Sequence, residues 1–135
     1  MSEGTPYSTN LDEAFGFLEL VDVRELAGAV EDRWYNQTLC RINDCVVRLG
    51  VMQGEFHWHH HDEEDEFFYV VEGRFLIDLQ EEGRTVELTP RQGFSVPRGV
   101  VHRTQASERT VILMFEGAGV IPTGDGGNEF GPARR

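Results

Sequence analysis

Few cysteines and no long apolar run mark this sequence of 135 residues. Cys40 and Cys45 flank the tetrapeptide RIND, which fits a tight turn between strands. A disulfide is conceivable there, but without a second pair the spacing is a poor zinc signal. No apolar run reaches membrane-spanning length, and MSEGTPYSTN lacks the charged and hydrophobic regions of a signal peptide. We therefore predict reduced thiols and a cytoplasmic protein.

Basic residues are also scarce. There are 12 of them against 24 acidic residues, which gives a formal net charge of −12. They are scattered singly, apart from Arg134 and Arg135 at the end of the sequence. Such a surface repels phosphate backbones and anionic lipid, so we predict neither a nucleic-acid nor a membrane partner.

What the sequence does contain predicts a single globular domain rich in strands. Fifteen glycines and five prolines are spread along it, and from Gln37 onward they separate short β-branched and aromatic runs. TLCRI and CVVRLGVM, joined by Asn-Asp, are typical of a hairpin. This arrangement favours a β-sandwich or barrel. FGFLELVDVRELAGAV, near the N-terminus, mixes a short apolar run with a potential helical turn.

The stretch HWHHHDEEDEFFYVVEG, which begins at His57, holds four of the five histidines. In a strand, His57, His59 and His61 would share one face, and Trp58 and His60 the other. The simplest interpretation is a charged hairpin loop with histidines facing water. That interpretation holds for DEED and favours exposure of His60. It is weaker for the first face, because a packed strand seldom places two imidazoles inward without a partner.

Two imidazoles at i and i+2 with a carboxylate on the neighbouring strand suit a divalent metal. His59 and His61 form the natural pair, with Glu66 as the third ligand. His102, which follows a turn at Pro97 and Gly99, is the obvious fourth. His57 is favoured for a role beside them, either in the pocket or in support of a ligand.

Alternation along the strand that begins at Glu66 predicts two faces of different character. Phe68 and Val70 would point inward with Glu66, whereas Phe67, Tyr69 and Val71 would point outward. The outward set is too apolar for solvent, so it indicates either a covering N-terminal segment or a dimer interface.

These residues resemble the cupin superfamily. Its first motif is matched by His59-x-His61, Glu66 and Gly73, and its second by Pro97-x-Gly99-x-x-His102. The stretch GEFHWHHHDEEDEFFYVVEGRFLIDL, with VPRGVVHR and PTGD, looks like the small single-domain cupins called mannose-6-phosphate isomerase-like. This resemblance covers roughly residues 15–126.

The resemblance implies an all-β fold, the double-stranded β-helix or jelly-roll barrel, with a short N-terminal extension. The domain would span 15–126, between a flexible tail at 1–14 and a C-terminal tail at 127–135. The implied metal ligands are His59, His61, Glu66 and His102. Candidate pocket residues are His57, Phe68, Phe75 and Phe94.

Three positions depart from the family pattern. The leading glycine of the first motif falls at Gln53, while the glycine here is Gly54. The glycine before the second motif falls at Arg91, two residues before Gly93. The trailing asparagine position holds Ala106. None of these departures removes a predicted ligand.

The implied cofactor is one divalent ion, and Fe, Mn, Ni, Zn and Cu are all compatible with three histidines and a glutamate. A six-coordinate ion would keep about two positions open for a small oxygenated molecule. Dioxygenase-type or isomerase-type chemistry would then be available, with His57 and Tyr69 as helpers. The alternative is a non-catalytic binding or sensor protein, and a metal-free structural role ranks last. Cupins commonly pair, so we also expect a homodimer.

Overall fold

The computed structural model describes residues 7–120, and eight strands and one short helix lie within that range. In chain order these elements are β1 (Tyr7–Asn10), α1 (Val23–Gly28), β2 (Trp34–Ile42), β3 (Cys45–Glu55), β4 (Glu66–Glu72), β5 (Phe75–Leu79), β6 (Arg84–Leu88), β7 (Gly93–Val96) and β8 (His102–Gly117). Across the described residues, we find no helix with the length and apolarity needed to cross a membrane.

The predicted hairpin is formed by β2 and β3. Ile42 pairs with Cys45, so Asn43 and Asp44 make the turn, and Asn43 has a φ of 52° that asparagine tolerates better than most residues. Cys40 lies opposite Val47 rather than opposite Cys45. Both cysteines are free thiols.

The long strand β8 organises the sheet. Its N-terminal part pairs with β5, and its C-terminal part pairs with β4 on one side and β3 on the other. Exposed residues at 107–109 separate the two parts. A strand that serves two layers in this way is typical of a jelly roll, and the sheet is not closed. The predicted all-β fold of the jelly-roll type is therefore confirmed.

Alternation along β4 divides the interior of the fold from its exterior. Glu66, Phe68 and Val70 are buried, whereas the residues between them are half-buried. Phe75 and Ile77 of β5 are fully buried in the same core. The buried positions of β4 are the inward positions expected from the period-two pattern. Phe94 of β7 is only partly buried against this core.

The outer face of the sheet is partly covered by the N-terminal segment. Phe15 donates its backbone N–H to the carbonyl of Leu39, and its ring packs in an apolar cluster that includes Val71. Strand β1, which lies within the segment predicted to be a tail, pairs in parallel with β2. Residues 1–6 and 121–135, which include the predicted C-terminal tail and the PTGD stretch, lie outside the described residues.

Helix α1 is anchored at both ends. Asp22 caps its N-terminus by accepting from the backbone N–H of Glu25 at 3.0 Å. At the other end, the guanidinium of Arg109 donates to the carbonyl of Ala27 at 2.6 Å. Cations are favourable at helix C-termini, so this contact fixes α1 against β8.

Candidate metal centre

Four buried side chains converge where the segment after β3, the start of β4 and the start of β8 meet. They are referred to below as the histidine–glutamate cluster and comprise His59, His61, Glu66 and His102. One ligand atom from each lies within 4.8 Å of the others, and each residue is at most 4% exposed. The four residues predicted as ligands are therefore brought together, and the group they form could hold a metal ion.

The two histidine-bearing segments are joined by backbone hydrogen bonds. His59 and His102 exchange both N–H···O bonds at 2.9 Å, in an isolated bridge between the segment after β3 and the start of β8. Gly99, with a φ of 80°, donates to the carbonyl of His61 at 2.8 Å. The two sequence motifs thus meet through their main chains, which sets the positions of all three imidazoles.

The segment at 57–65 is not the regular strand that the alternation implied. Within it only His59 makes a β-bridge, yet burial still alternates, since His59 and His61 are buried and His60 is partly exposed. The Nδ1 atom of His60 lies 2.9 Å from a carboxylate oxygen of the exposed Asp62. The outward position expected for His60 is confirmed.

Backbone carbonyls fix the tautomers of two imidazoles. His59 Nδ1 lies 3.1 Å from the carbonyl oxygen of His57, and His102 Nδ1 lies 2.9 Å from that of Val100. A carbonyl can only accept, so both Nδ1 atoms donate. Each ring then presents the lone pair of Nε2. Outer hydrogen bonds of this kind orient histidine ligands in metal sites.

Four polar atoms of the cluster, one of them His61 Nδ1, have no hydrogen-bond partner within residues 7–120. His61 Nε2, His102 Nε2 and Glu66 Oε1 are buried without a hydrogen-bond partner there, and each nitrogen lies 3.4 Å from Glu66 Oε1. Buried polar groups without partners cost about 1–3 kcal/mol each. Neutral imidazoles and one carboxylate are suitable ligands for a divalent transition metal, so these residues fit such an ion.

Local electrostatics keep two cluster residues in the form that binds metal. Burial, followed by the neighbouring imidazole of His102, lowers the pKa of His59 to about 3, so the ring of His59 is neutral near pH 7. Burial alone would raise the pKa of Glu66. The proximity of His102 and His61, whose Nε2 atoms lie 3.4 Å from its carboxylate, outweighs that effect and holds the pKa of Glu66 well below its usual range.

A buried ion pair between Arg48 and Glu116, which the sequence analysis did not predict, lies next to Glu66. Glu116 is its cross-strand neighbour and is paired with Arg48 of β3, and both side chains are almost fully buried. Arg48 also donates to Thr38 Oγ1 at 3.0 Å and to the carbonyl of Val120 at 2.9 Å. The guanidinium therefore connects β3 to Glu116 of β8, the neighbour of Glu66, and to Val120 beyond the end of β8.

A cavity of about 80 Å³ reaches the cluster at His59 and Glu66. Phe68 and Phe75, two of the candidate pocket residues, border it. Among the described lining residues, Phe94 and His57 do not appear. His57 instead stacks beside Phe56, with ring centroids 4.0 Å apart, and its carbonyl orients His59.

The fold and the cluster together define a cupin. A model of the cupin domain (Cupin_2) matches residues 45–116, which is more than half of the chain and includes the whole cluster. The chain therefore belongs to the cupin family.

Known proteins support this assignment. The chain is 41% identical over 91 residues to the uncharacterized protein YdbB of Bacillus subtilis, covering 67% of this chain and 80% of that one. A cupin-2 domain protein from Shewanella frigidimarina superposes with a TM-score of 0.68 at 26% identity, over 73% of this chain and 94% of that one. For KdgF from Halomonas sp. the TM-score is 0.56 at 27% identity, over 65% and 82%.

Proposed function

We propose that this chain is a metal-binding single-domain cupin that holds one divalent ion and binds or transforms a small oxygenated molecule beside it. The observation that carries the proposal is the histidine–glutamate cluster. Its ligand atoms lie within 4.8 Å of one another, and four of its polar atoms are buried without a hydrogen-bond partner among the described residues. A cation would give these buried polar atoms a partner, whereas without one their burial costs free energy.

A bound divalent ion would supply Lewis-acid or oxygen-activating chemistry. The chain's own contribution is to orient and enclose the site. The carbonyls of His57 and Val100 fix two imidazole rings, and the apolar walls around Phe68 and Phe75 exclude water. The ligand set suits Fe, Mn, Ni or Cu, while Zn prefers four ligands and would be left without an open position.

The test is elemental analysis of purified protein and of three single variants. We expect about one divalent ion per wild-type chain and loss of that ion in His59→Gln and His102→Gln. His60→Gln is the matched control, because it removes an imidazole that points away from the cluster. Equal metal content in His59→Gln and the control would contradict the proposal, provided that both variants give the circular dichroism spectrum of the wild type.

Dioxygenase-type or isomerase-type chemistry is the catalytic form of the proposal. Its test is turnover of a panel of sugars, diketones and phenols by protein reconstituted separately with Fe(II), Mn(II) and Ni(II). Conversion of any member that is lost in His59→Gln supports catalysis. A fully loaded protein that converts none of them favours the second candidate, a non-catalytic ligand-binding or sensor cupin.

One polar side chain of the cavity wall is not suited to act as a general base. Tyr35 is a phenol that borders the cavity, and its hydroxyl donates to Gln37 Oε1 at 3.1 Å. Burial, and then the charge of Asp32, raise its pKa above the ordinary value. This side chain therefore stays protonated near neutral pH and is not poised to act as a base.

The proposal also includes the oligomeric state, the cellular location and the partners of the protein. A homodimer in the cytoplasm that binds neither nucleic acid nor a membrane agrees with the net charge of −12 and with the half-exposed Phe115, which packs on the outward Phe67. We place the chain among the cupins called mannose-6-phosphate isomerase-like because of its motif spacing. That label does not define a reaction.

A further inference from the structure

The two ends of the cavity beside the histidine–glutamate cluster differ in chemical character. His59 and Glu66 stand at one end. The walls beyond them are aromatic and aliphatic, and they include Met52, Phe56, Phe68, Phe75, Ile112 and Met114. A molecule whose oxygens reach the metal centre therefore extends the rest of its body along an apolar surface.

Positive charge is missing from this surface within residues 7–120. The sequence contains no lysine, and no arginine is among the described residues that border the cavity. The other polar lining groups are neutral and include Ser8, Thr9, Asn36 and Thr104. Arg48, the buried arginine near the site, is already engaged by Glu116, Thr38 and Val120.

We propose that the natural ligand is a compact molecule with metal-chelating oxygens at one end and an uncharged, apolar body. A phosphate or a second carboxylate on that body is excluded. This inference rests on the proposed metal site and specifies which ligands that site accepts.

The energetic reason is the cost of burying an anion without a partner. A carboxylate or phosphate beside these walls loses its hydration and gains no cation, which costs several kcal/mol. The carboxylate of Glu66 adds repulsion at the same end of the cavity. An aliphatic body, in contrast, gains about fourfold in affinity for each CH₂ that it buries. The volume of about 80 Å³ restricts the enclosed part to a few heavy atoms.

The experiment uses Co(II)-loaded protein and follows the visible absorption of the metal during titration. Three probes share one chelating head, the 2-hydroxy acid. Glycolate is the bare head, 2-hydroxy-4-methylpentanoate adds an apolar body, and malate adds a second carboxylate. We expect 2-hydroxy-4-methylpentanoate to bind about tenfold more tightly than glycolate, and malate to bind no more tightly than glycolate.

A single added cation should reverse this order. Trp34 borders the cavity and is only partly buried, so Trp34→Arg supplies a guanidinium near its wall. We expect this variant to bind malate at least tenfold more tightly than the wild type does. Ser107→Arg is the control, because Ser107 is exposed and is not among the lining residues.

The outcomes separate this inference from the metal site itself. Wild-type protein that takes up Co(II) but binds malate as tightly as 2-hydroxy-4-methylpentanoate overturns the ligand class and leaves the metal centre intact. Protein that takes up no Co(II) overturns both. If Trp34→Arg does not fold, the comparison of the three probes on the wild type decides alone.

Discussion

Glu116 on β8 is the direct cross-strand partner of Glu66 on β4, and both carboxylates lie buried on the inner face of the sheet. Burial, and then the charge of Glu66, raise the pKa of Glu116 well above its usual range, against the opposing effect of Arg48. Two neighbouring buried carboxyl groups are seldom ionised at the same time, because their negative charges repel each other. Arg48 therefore stabilises a second acid beside a predicted metal ligand.

Removal of Arg48 alone should destabilise the protein strongly. Arg48→Met eliminates its hydrogen bonds to Glu116, Thr38 and Val120 and leaves a buried carboxyl without its cation, which costs about 3–5 kcal/mol in the free energy of unfolding. The measurement is urea unfolding of metal-free protein. Arg41→Met, which breaks a half-exposed pair with Glu13, should cost less than about 1 kcal/mol.

The double variant Arg48→Met/Glu116→Gln should recover much of the lost stability. It removes both charges, and replacing a whole buried pair is often close to neutral. A double variant as unstable as the sum of the two single variants would mean that Arg48 and Glu116 stabilise the fold independently and not through their pairing.

The stability of metal-free protein should depend on pH through His59. Its pKa is about 3 in the folded state and about 6.5 in the unfolded chain. As the pH falls below about 6.5 the unfolded chain binds the proton first, so this contribution to stability declines by up to about 1.4 kcal/mol per pH unit. Glu116 acts in the opposite direction, because its raised pKa gives stability that is lost as the pH rises.

The two effects are separated by a variant. Urea unfolding with chelator between pH 7.5 and 5 should show a slope for His59→Gln that is less positive than that of the wild type, since the His59 contribution is removed while that of Glu116 is kept. His60→Gln should keep the wild-type slope. Identical slopes for His59→Gln and the wild type would mean that His59 is protonated in the folded state.

Local pattern was sufficient to predict the histidine–glutamate cluster. His59 and His61 are two residues apart, Glu66 begins the next strand, and the turn at Gly99 brings His102 to the bridge with His59. The inward face of β4 could likewise be predicted from the alternation of side chains along a strand. These features depend on short spacings and on one pairing that the two motifs imply.

The Arg48–Glu116 pair could not be predicted in the same way. Its members are 68 residues apart, and their contact depends on the register of β3 and β4 on either side of β8. A signal was present, because each is a charged residue inside an apolar strand, in CVVRLGVM and TVILMFE. Such a residue must find a partner when it is buried, but the sequence does not show which one.

Gly73, the last residue of the first motif, should tolerate no side chain. Its φ is 95°, and an added Cβ would lie 2.7 Å from the Cα atom of Thr110 and 2.8 Å from the carbonyl of Arg109. Because these are backbone atoms, the strand itself must move, and we expect Gly73→Ala to lose at least about 2 kcal/mol of stability.

Gly83→Ala is the matched control for that prediction. Gly83 also has a positive φ, of 61°, but nothing lies within 4 Å of an added Cβ. Its substitution should therefore cost only the backbone strain of about 1 kcal/mol. Thermal unfolding of the two variants distinguishes steric overlap from strain, and equal losses would mean that the contact with Thr110 and Arg109 relaxes freely.

Arg91 occupies a position where the cupin pattern has glycine, and the structure shows the consequence. Its φ is 73°, in the left-handed region, and its backbone N–H donates to the carbonyl of Val70 at 2.8 Å. Relief of about 1–2 kcal/mol of strain in Arg91→Gly exceeds the entropic cost of glycine, about 0.5–1 kcal/mol. We therefore expect a gain of up to about 1 kcal/mol, seen as a rise in Tm of roughly 4 °C. Arg91→Ala removes the same exposed guanidinium without relieving φ and should give no gain. If Arg91→Ala stabilises the protein equally, the effect belongs to the side chain and not to the backbone.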